Sequence, residues 1–292
     1  MPEPSPSMSR SALLRAATAA SLALASPVVA TAVAQPAPPA LAAIRESDLR
    51  RDLYAMASDS MRGREAGTLD ELRAAAWMAE RAREAGLKPA GDDGTYFQWW
   101  PMRRVRLVPE RSTVAVAGGA RLAWGSDVVP AAPVEFRGDL PLVAPAAADT
   151  TTDVRGRAVL VDIRPPRALP PEGVSLRPYR YVLAAIREQS TVLIRRGAGA
   201  VVLVGDSTAE AAWDFAGAGL LRGRYNIDTT GAATIPTGAP VLWVRAAVGA
   251  PLRQAAAAGG RLALSLTSES FVYPSANVVA VAPGRDPGLR NE

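Results

Sequence analysis

The sequence contains neither histidine nor cysteine. These two absences remove the imidazole and thiolate ligands with which proteins ordinarily hold zinc. They also exclude a Ser-His-Asp triad, a Cys-His pair, an imidazole general base, a disulfide framework and a thiolate-bound iron-sulfur cluster. Lysine is almost missing as well: Lys88 is the single one among 33 basic residues, and the others are arginine. The arginines are interspersed with 28 acidic residues, so the net charge of +5 gathers into no long run of one sign. No nucleic-acid partner is expected from that pattern.

What the sequence does have is apolar material, at 49% of 292 residues, enough for one or two globular domains. Arg10 and Arg15 precede an alanine-rich apolar stretch over 16–34 that ends in Ala32-Val33-Ala34, the small-x-small pattern of a signal-peptidase site. Pro27 and the weak hydropathy of alanine argue against a membrane span. No cysteine follows to carry a lipid anchor. Residues 1–34 are therefore expected to be a signal peptide, and the protein to be secreted or periplasmic with no stable membrane anchor after cleavage.

Further along, Ser47 is placed to cap a helix bearing Leu49, Leu53 and Met56. Thr68-Leu69-Asp70-Glu71 has the form of a capping box, with Leu72, Ala75, Ala79 and Ala82 on one helical face and Gly86 and Pro89 as the stop. Asp92 and Asp93 read as turn residues, and residues 96–108 as a long strand. From about Asp139 the pattern becomes strand (158–163), helix (181–196) and strand (200–204), a βαβ unit. Residues 241–244, 252–258 and 262–266 are expected to continue that alternation, and 278–282 to form one more buried strand. Residues 209–238, rich in glycine and proline, read as a long surface excursion.

Few residues offer chemistry. Ser207, in Gly205-Asp206-Ser207 after a strand, occupies the place of a nucleophile, yet no base is available and Thr208-Ala209 does not complete a nucleophile elbow. Lys88 lies outside any Ser-x-x-Lys pattern. Gly197 and Gly199 follow a helix, the reverse of a dinucleotide turn, and Gly217, Gly219 and Gly223 are misspaced for one. Trp99 and Trp100 beside Arg103 and Arg104 read as strand residues with alternate side chains inward.

Three segments carry a resemblance. The first is Leu53-Tyr54-Ala55-Met56-Ala57-Ser58-Asp59-Ser60-Met61-Arg62-Gly63-Arg64-Glu65-Ala66-Gly67-Thr68, followed by Gly86-Leu87-Lys88-Pro89-Ala90-Gly91. The second is Arg155-Gly156-Arg157-Ala158-Val159-Leu160-Val161 with Arg196-Gly197-Ala198-Gly199-Ala200-Val201-Val202-Leu203-Val204. The third is Ser275-Ala276-Asn277-Val278-Val279-Ala280-Val281-Ala282-Pro283-Gly284. Together they resemble the secreted zinc aminopeptidases of metallopeptidase family twenty-eight that carry an inserted protease-associated (PA) domain.

The resemblance implies an α/β fold: an incomplete zinc-exopeptidase domain with a PA-type α/β insert. The implied organisation is a signal peptide at 1–34, an N-terminal peptidase segment at 35–129, a PA-like insert at 130–270 and a re-entry strand at 271–292. It also implies two zinc ions and a peptide or protein substrate for the complete enzyme, whose first ligand motif, a His-x-Asp pair, would lie beyond Glu292. It transfers no catalytic, cofactor-binding or metal-binding residue to any position of this sequence. The expectation is a chain that is inactive alone. The alternatives are a natural truncation acting as a non-catalytic PA-domain protein that binds peptide or protein, and an unrelated two-lobed periplasmic binding protein.

Overall fold

The computed structural model describes residues 43–117, 119, 121–147, 149–168, 176–229, 235–284 and 286–288. The expected signal peptide and the final residues 289–292 lie outside them. The chain divides into two units, Met1–Met56 and Ala57–Glu292. In the first, α1 (Glu46–Ala57) carries Glu46 and Asp48 in its first turn, where acidic groups complement the helix dipole. Arg50 reaches back to Glu46 at 2.6 Å. Ser47 lies inside the first turn instead of capping it, because the Arg45 carbonyl already accepts from Asp48 and Leu49 N–H. No helix among the described residues is long and apolar enough to cross a membrane.

The second unit opens with a 3-10 turn (Asp59–Met61) and α2 (Leu69–Glu84). The Thr68 hydroxyl accepts from Glu71 N–H at 3.3 Å, as the capping pattern requires. The reciprocal half differs from expectation: the Glu71 carboxylate accepts from Gly67 N–H at 2.5 Å, because Thr68 N–H is already donated to the Glu65 carbonyl. At the other end Gly86, at φ +74°, closes a Schellman turn, with Leu87 N–H on the Ala82 carbonyl and Gly86 N–H on that of Arg83.

The remaining elements are β1 (Lys88–Pro89), β2 (Phe97–Leu107), β3 (Thr113–Val116), β4 (Val128–Pro130), β5 (Phe136–Val143), β6 (Ala158–Asp162), α3 (Arg177–Arg195) and β7 (Ala200–Val204). They continue with α4 (Ser207–Ala212), a π-helical turn (Trp213–Gly217), α5 (Ala218–Arg222), β8 (Arg224–Ile227), β9 (Val241–Val244), α6 (Ala246–Ala257), β10 (Arg261–Leu266), β11 (Ser268–Val278) and β12 (Ala280–Val281).

A mixed α/β architecture results. The seven-stranded sheet runs in the order β3-β10-β5-β6-β7-β9-β4, with β5, β6, β7 and β9 parallel. It reaches back to Thr113, upstream of the boundary near 130 expected for an insert. Strand alternation builds a core on each face. Ala158, Leu160, Val202, Val204, Leu242 and Val244 join Leu252 of α6 on one side. Val159, Val201, Leu203 and Trp243 meet Val182, Ile186 and Trp213 on the other. All five residues of β7 are buried, as expected of a strand covered on both faces.

Three expectations are corrected. First, β10 does not extend the parallel alternation; it runs antiparallel between β3 and β5, and its pattern of Leu262, Leu264 and Leu266 inward does not encode direction. Second, residues 207–222 are helical and not a surface excursion: Ala209, Ala212, Trp213 and Ala216 are buried, and Gly217 packs on Val129. Third, 278–282 is not a buried strand, since β12 pairs only with β1 and Val281 is 49% exposed.

A strand pair frames the seven-stranded sheet. The chain runs out along β2 and returns along β11 in unbroken antiparallel register, from Phe97↔Val278 to Leu107↔Ser268. Below it, β1 pairs with β12. Across β2 from β11 lies β8, completing a three-stranded sheet.

Candidate functional site

At the base of this strand pair, the loop before α2 meets β2, β8 and β11. The loop turns sharply, with Arg62, Gly63, Arg64 and Gly67 all at positive φ. Arg62 and Arg64 adopt a conformation unusual for non-glycine residues, and each turn is closed by a backbone bond, from Arg62 N–H to Asp59 and from Arg64 N–H to Met61. Gly67 is required twice over: its φ is +76°, and a Cβ built there would overlap the Tyr273 ring.

These turns aim Glu65 at the strands. Its carboxylate accepts a hydrogen bond from the Tyr225 hydroxyl of β8 and lies 3.7 Å from the Arg104 guanidinium of β2. Arg104 in turn stacks over the Tyr225 ring at 5.0 Å and donates to the Arg222 carbonyl at 2.8 Å. One turn into α2, Glu71 accepts from the Ser275 hydroxyl of β11 at 2.5 Å. Ser275 is fully buried. The Tyr273 hydroxyl is shielded from solvent and has no hydrogen-bond partner among the described residues.

The phenols of this cluster are held in their neutral form. Burial, then donation to Glu65, pushes Tyr225 up to about 12, with the Arg104 charge opposing. Burial also raises Tyr273, helped by Glu71 and Glu65 and again opposed by Arg104. Neither tyrosine is poised to act as a base near neutrality.

The donor set does not fit zinc. Glu65 is occupied by Tyr225 and faced by a guanidinium, Glu71 is occupied by Ser275 and Gly67, and no imidazole or thiolate exists in the sequence. Among the described residues, no three acidic side chains gather in a way that could hold a metal ion. What this arrangement does is join segments, fixing the loop and α2 against β2, β8 and β11.

Two solved structures are similar to this chain. One is BSAP, a zinc aminopeptidase from Bacillus subtilis, at 17% identity and a TM-score of 0.43, over 81% of this chain and 47% of that one. The other is a Peptidase M28 precursor from Shewanella amazonensis SB2B, at 12% identity and a TM-score of 0.42, over 80% of this chain and 52% of that one. This chain thus spans about half the length of each. No protein-family model matches it, and no curated protein does.

The residues singled out in the sequence are not brought together. Ser207 is the exposed first residue of α4, and Asp206 before it is an ordinary N-cap, accepting from Ala209 N–H at 2.8 Å and from the Tyr181 hydroxyl. Lys88 is exposed on β1. Gly197 ends α3 at φ +91°, and Gly199 packs on Gly156. Gly217 and Gly219 are helical, while Gly223, at φ +92°, passes so close to Val105 that only glycine fits. Asp92 accepts from Trp99 N–H at 2.7 Å within its turn. Trp99 points outward at 46% exposure and Trp100 inward, as alternation requires. Arg103 and Arg104 are drawn into ion pairs instead of forming a basic surface.

The residues that do meet are Glu65, Glu71, Arg104, Tyr225, Tyr273 and Ser275; the sequence marked Glu71 only as a capping residue and Arg104 only as a strand residue, and did not join them.

Proposed function

We propose that this chain is the exported N-terminal part of a zinc-dependent aminopeptidase, non-catalytic by itself, which carries a PA-like module within its peptidase domain. In this reading the complete enzyme acts on peptides, and its zinc ions and general base belong to a portion beyond these residues.

The observation that supports it is how the three resembling segments fall in the fold. The Gly86–Gly91 part of the first meets the third where β1 lies beside β12, and Glu71, between the two parts of the first, holds Ser275. The second forms the parallel centre of the seven-stranded sheet, β6 beside β7. The adjacency of β2 and β11, by which the module is entered and left, supports reading it as an insertion. The cluster at the base holds that junction and offers no hydrolytic chemistry.

The test is release of p-nitroaniline from aminoacyl p-nitroanilides by the purified chain with added zinc. No turnover above buffer is expected. Turnover proportional to chain concentration and abolished by a chelator would overturn the proposal.

A further inference from the structure

Many of the described arginines hold an acidic partner. Arg73, Arg83, Arg103, Arg106, Arg245 and Arg261 each hold an acidic partner within 3 Å. Others have no carboxylate partner among the described residues, and four of these line one cleft. A cleft of about 1130 Å³ is lined by Arg180 and Arg187 of α3, by Arg222 at the end of α5 and by Arg224 at the start of β8. All four are exposed, and none has a side-chain partner among the described residues. The one carboxylate lining the cleft is Glu65, already engaged by Tyr225 and Arg104. Arg180 and Arg187 stand two helical turns apart, about 10 Å along α3. The same cleft presents Leu183, Leu220 and Val241, whose positions are set by packing against the core.

Positive charge without a carboxylate partner among the described residues, around a preformed apolar lining, selects a ligand that is both acidic and apolar. The charges are spread along the cleft, with Arg180 and Arg187 about 10 Å apart on α3, a span that suits an extended chain better than a compact metabolite. Single-stranded nucleic acid fits less well, since it needs exposed aromatic faces on which to stack. Tyr179, the aromatic residue that α3 contributes to the cleft, already packs on Phe215 at 6.1 Å.

We propose that this cleft binds an extended acidic peptide, with carboxylates paired to Arg180, Arg187, Arg222 and Arg224 and apolar side chains against Leu183, Leu220 and Val241. The site does not depend on the peptidase reading and stands whether or not the parent protein cleaves peptides.

The experiment is fluorescence anisotropy of the purified chain with a short labelled peptide of alternating Glu and Leu. Saturable binding is expected, weakening by about tenfold or more from low salt to about 0.3 M salt. A peptide with Gln in place of Glu, and the R180Q/R222Q variant, should each lose about tenfold or more. R261Q, outside the cleft, should bind as wild type. Both cleft substitutions are at exposed positions, so circular dichroism should be unchanged. Absence of saturation, equal binding of the Gln peptide, undiminished binding by R180Q/R222Q, or tighter binding of a short oligothymidylate would each overturn the proposal.

Discussion

Ser275 Oγ donates to Glu71 Oε1 at 2.5 Å, joining β11 to the helix that opens the second unit. The other oxygen of the same carboxylate holds Gly67 N–H, so a single side chain fixes both the sharp loop and the returning strand. Because Ser275 is fully buried, its loss cannot be made good by water. Ser275→Ala should cost about 1–2 kcal/mol and Glu71→Ala about 2–3 kcal/mol. Since one bond is shared, the double variant should be no worse than Glu71→Ala alone. Urea unfolding reads this directly, as a shift of midpoint at constant slope. Full additivity of the two losses would mean that the bond does not carry the energy.

Arg103 grips Asp228 through the Nε–Nη2 edge of its guanidinium, at 3.3 and 2.8 Å, and also donates from Nη1 to Ser270 at 3.1 Å. The two side chains are only 11% and 8% exposed. Asp228→Ala leaves a buried guanidinium short of its counter-charge and should cost about 3–5 kcal/mol. Replacing both, as in R103M/D228L, should recover most of that loss, because the desolvation cost disappears with the charges. Thermal unfolding of the two variants separates these outcomes.

The helical stretch over 207–222 gives a third test. Trp213 is buried edge-to-face against Trp243 at 4.5 Å, with its indole N–H on the Gly125 carbonyl at 2.9 Å. Trp213→Ala should cost about 3–5 kcal/mol. Phe215, two residues on and 43% exposed, should cost about 1 kcal/mol or less when cut to alanine. Similar small losses at both positions would fit a surface loop and contradict the packing described.

That stretch marks where the sequence was legible and where it was not. The β6-α3-β7 unit declared itself because strands buried on both faces are continuously apolar, and the helix between them repeats at its own period. Thr68 and Gly86 marked the ends of α2 because capping is local chemistry. Residues 207–222 were hidden because their glycines were read as loop formers, whereas Gly217 packs on Val129 and Gly223 passes against Val105, neighbours absent from the local sequence. Direction was equally silent: the alternation of β10 is the same whether it pairs parallel or antiparallel. The junction of Glu65, Arg104 and Tyr225 draws on three distant segments, and no local pattern of charge or spacing announces it.

Alkaline pH should weaken the fold through its buried phenols. Tyr225 is raised to about 12 chiefly by burial, and Tyr181 is raised by burial and by its bond to Asp206. Below pH 10 both states keep these protons and stability is unaffected. Between pH 10 and about 12 the unfolded chain releases protons that the folded chain retains, so stability falls as pH rises. Tyr225→Phe should make that decline shallower. Urea midpoints across this range, with tyrosinate absorbance alongside, provide the measurement; a wild-type midpoint constant to pH 12 would contradict the burial of these groups.

The central claim is that an aminopeptidase's metal ligands lie beyond this chain, which supplies a junction and an inserted module. Reading the coding DNA through the codon for Glu292 tests it most directly. An uninterrupted frame that continues through an apolar strand into a His-x-Asp pair is the expected result. A stop codon at that point, or a continuing frame with no such pair, would contradict the claim and leave the seven-stranded module and its arginine-lined cleft as the seat of whatever the protein does.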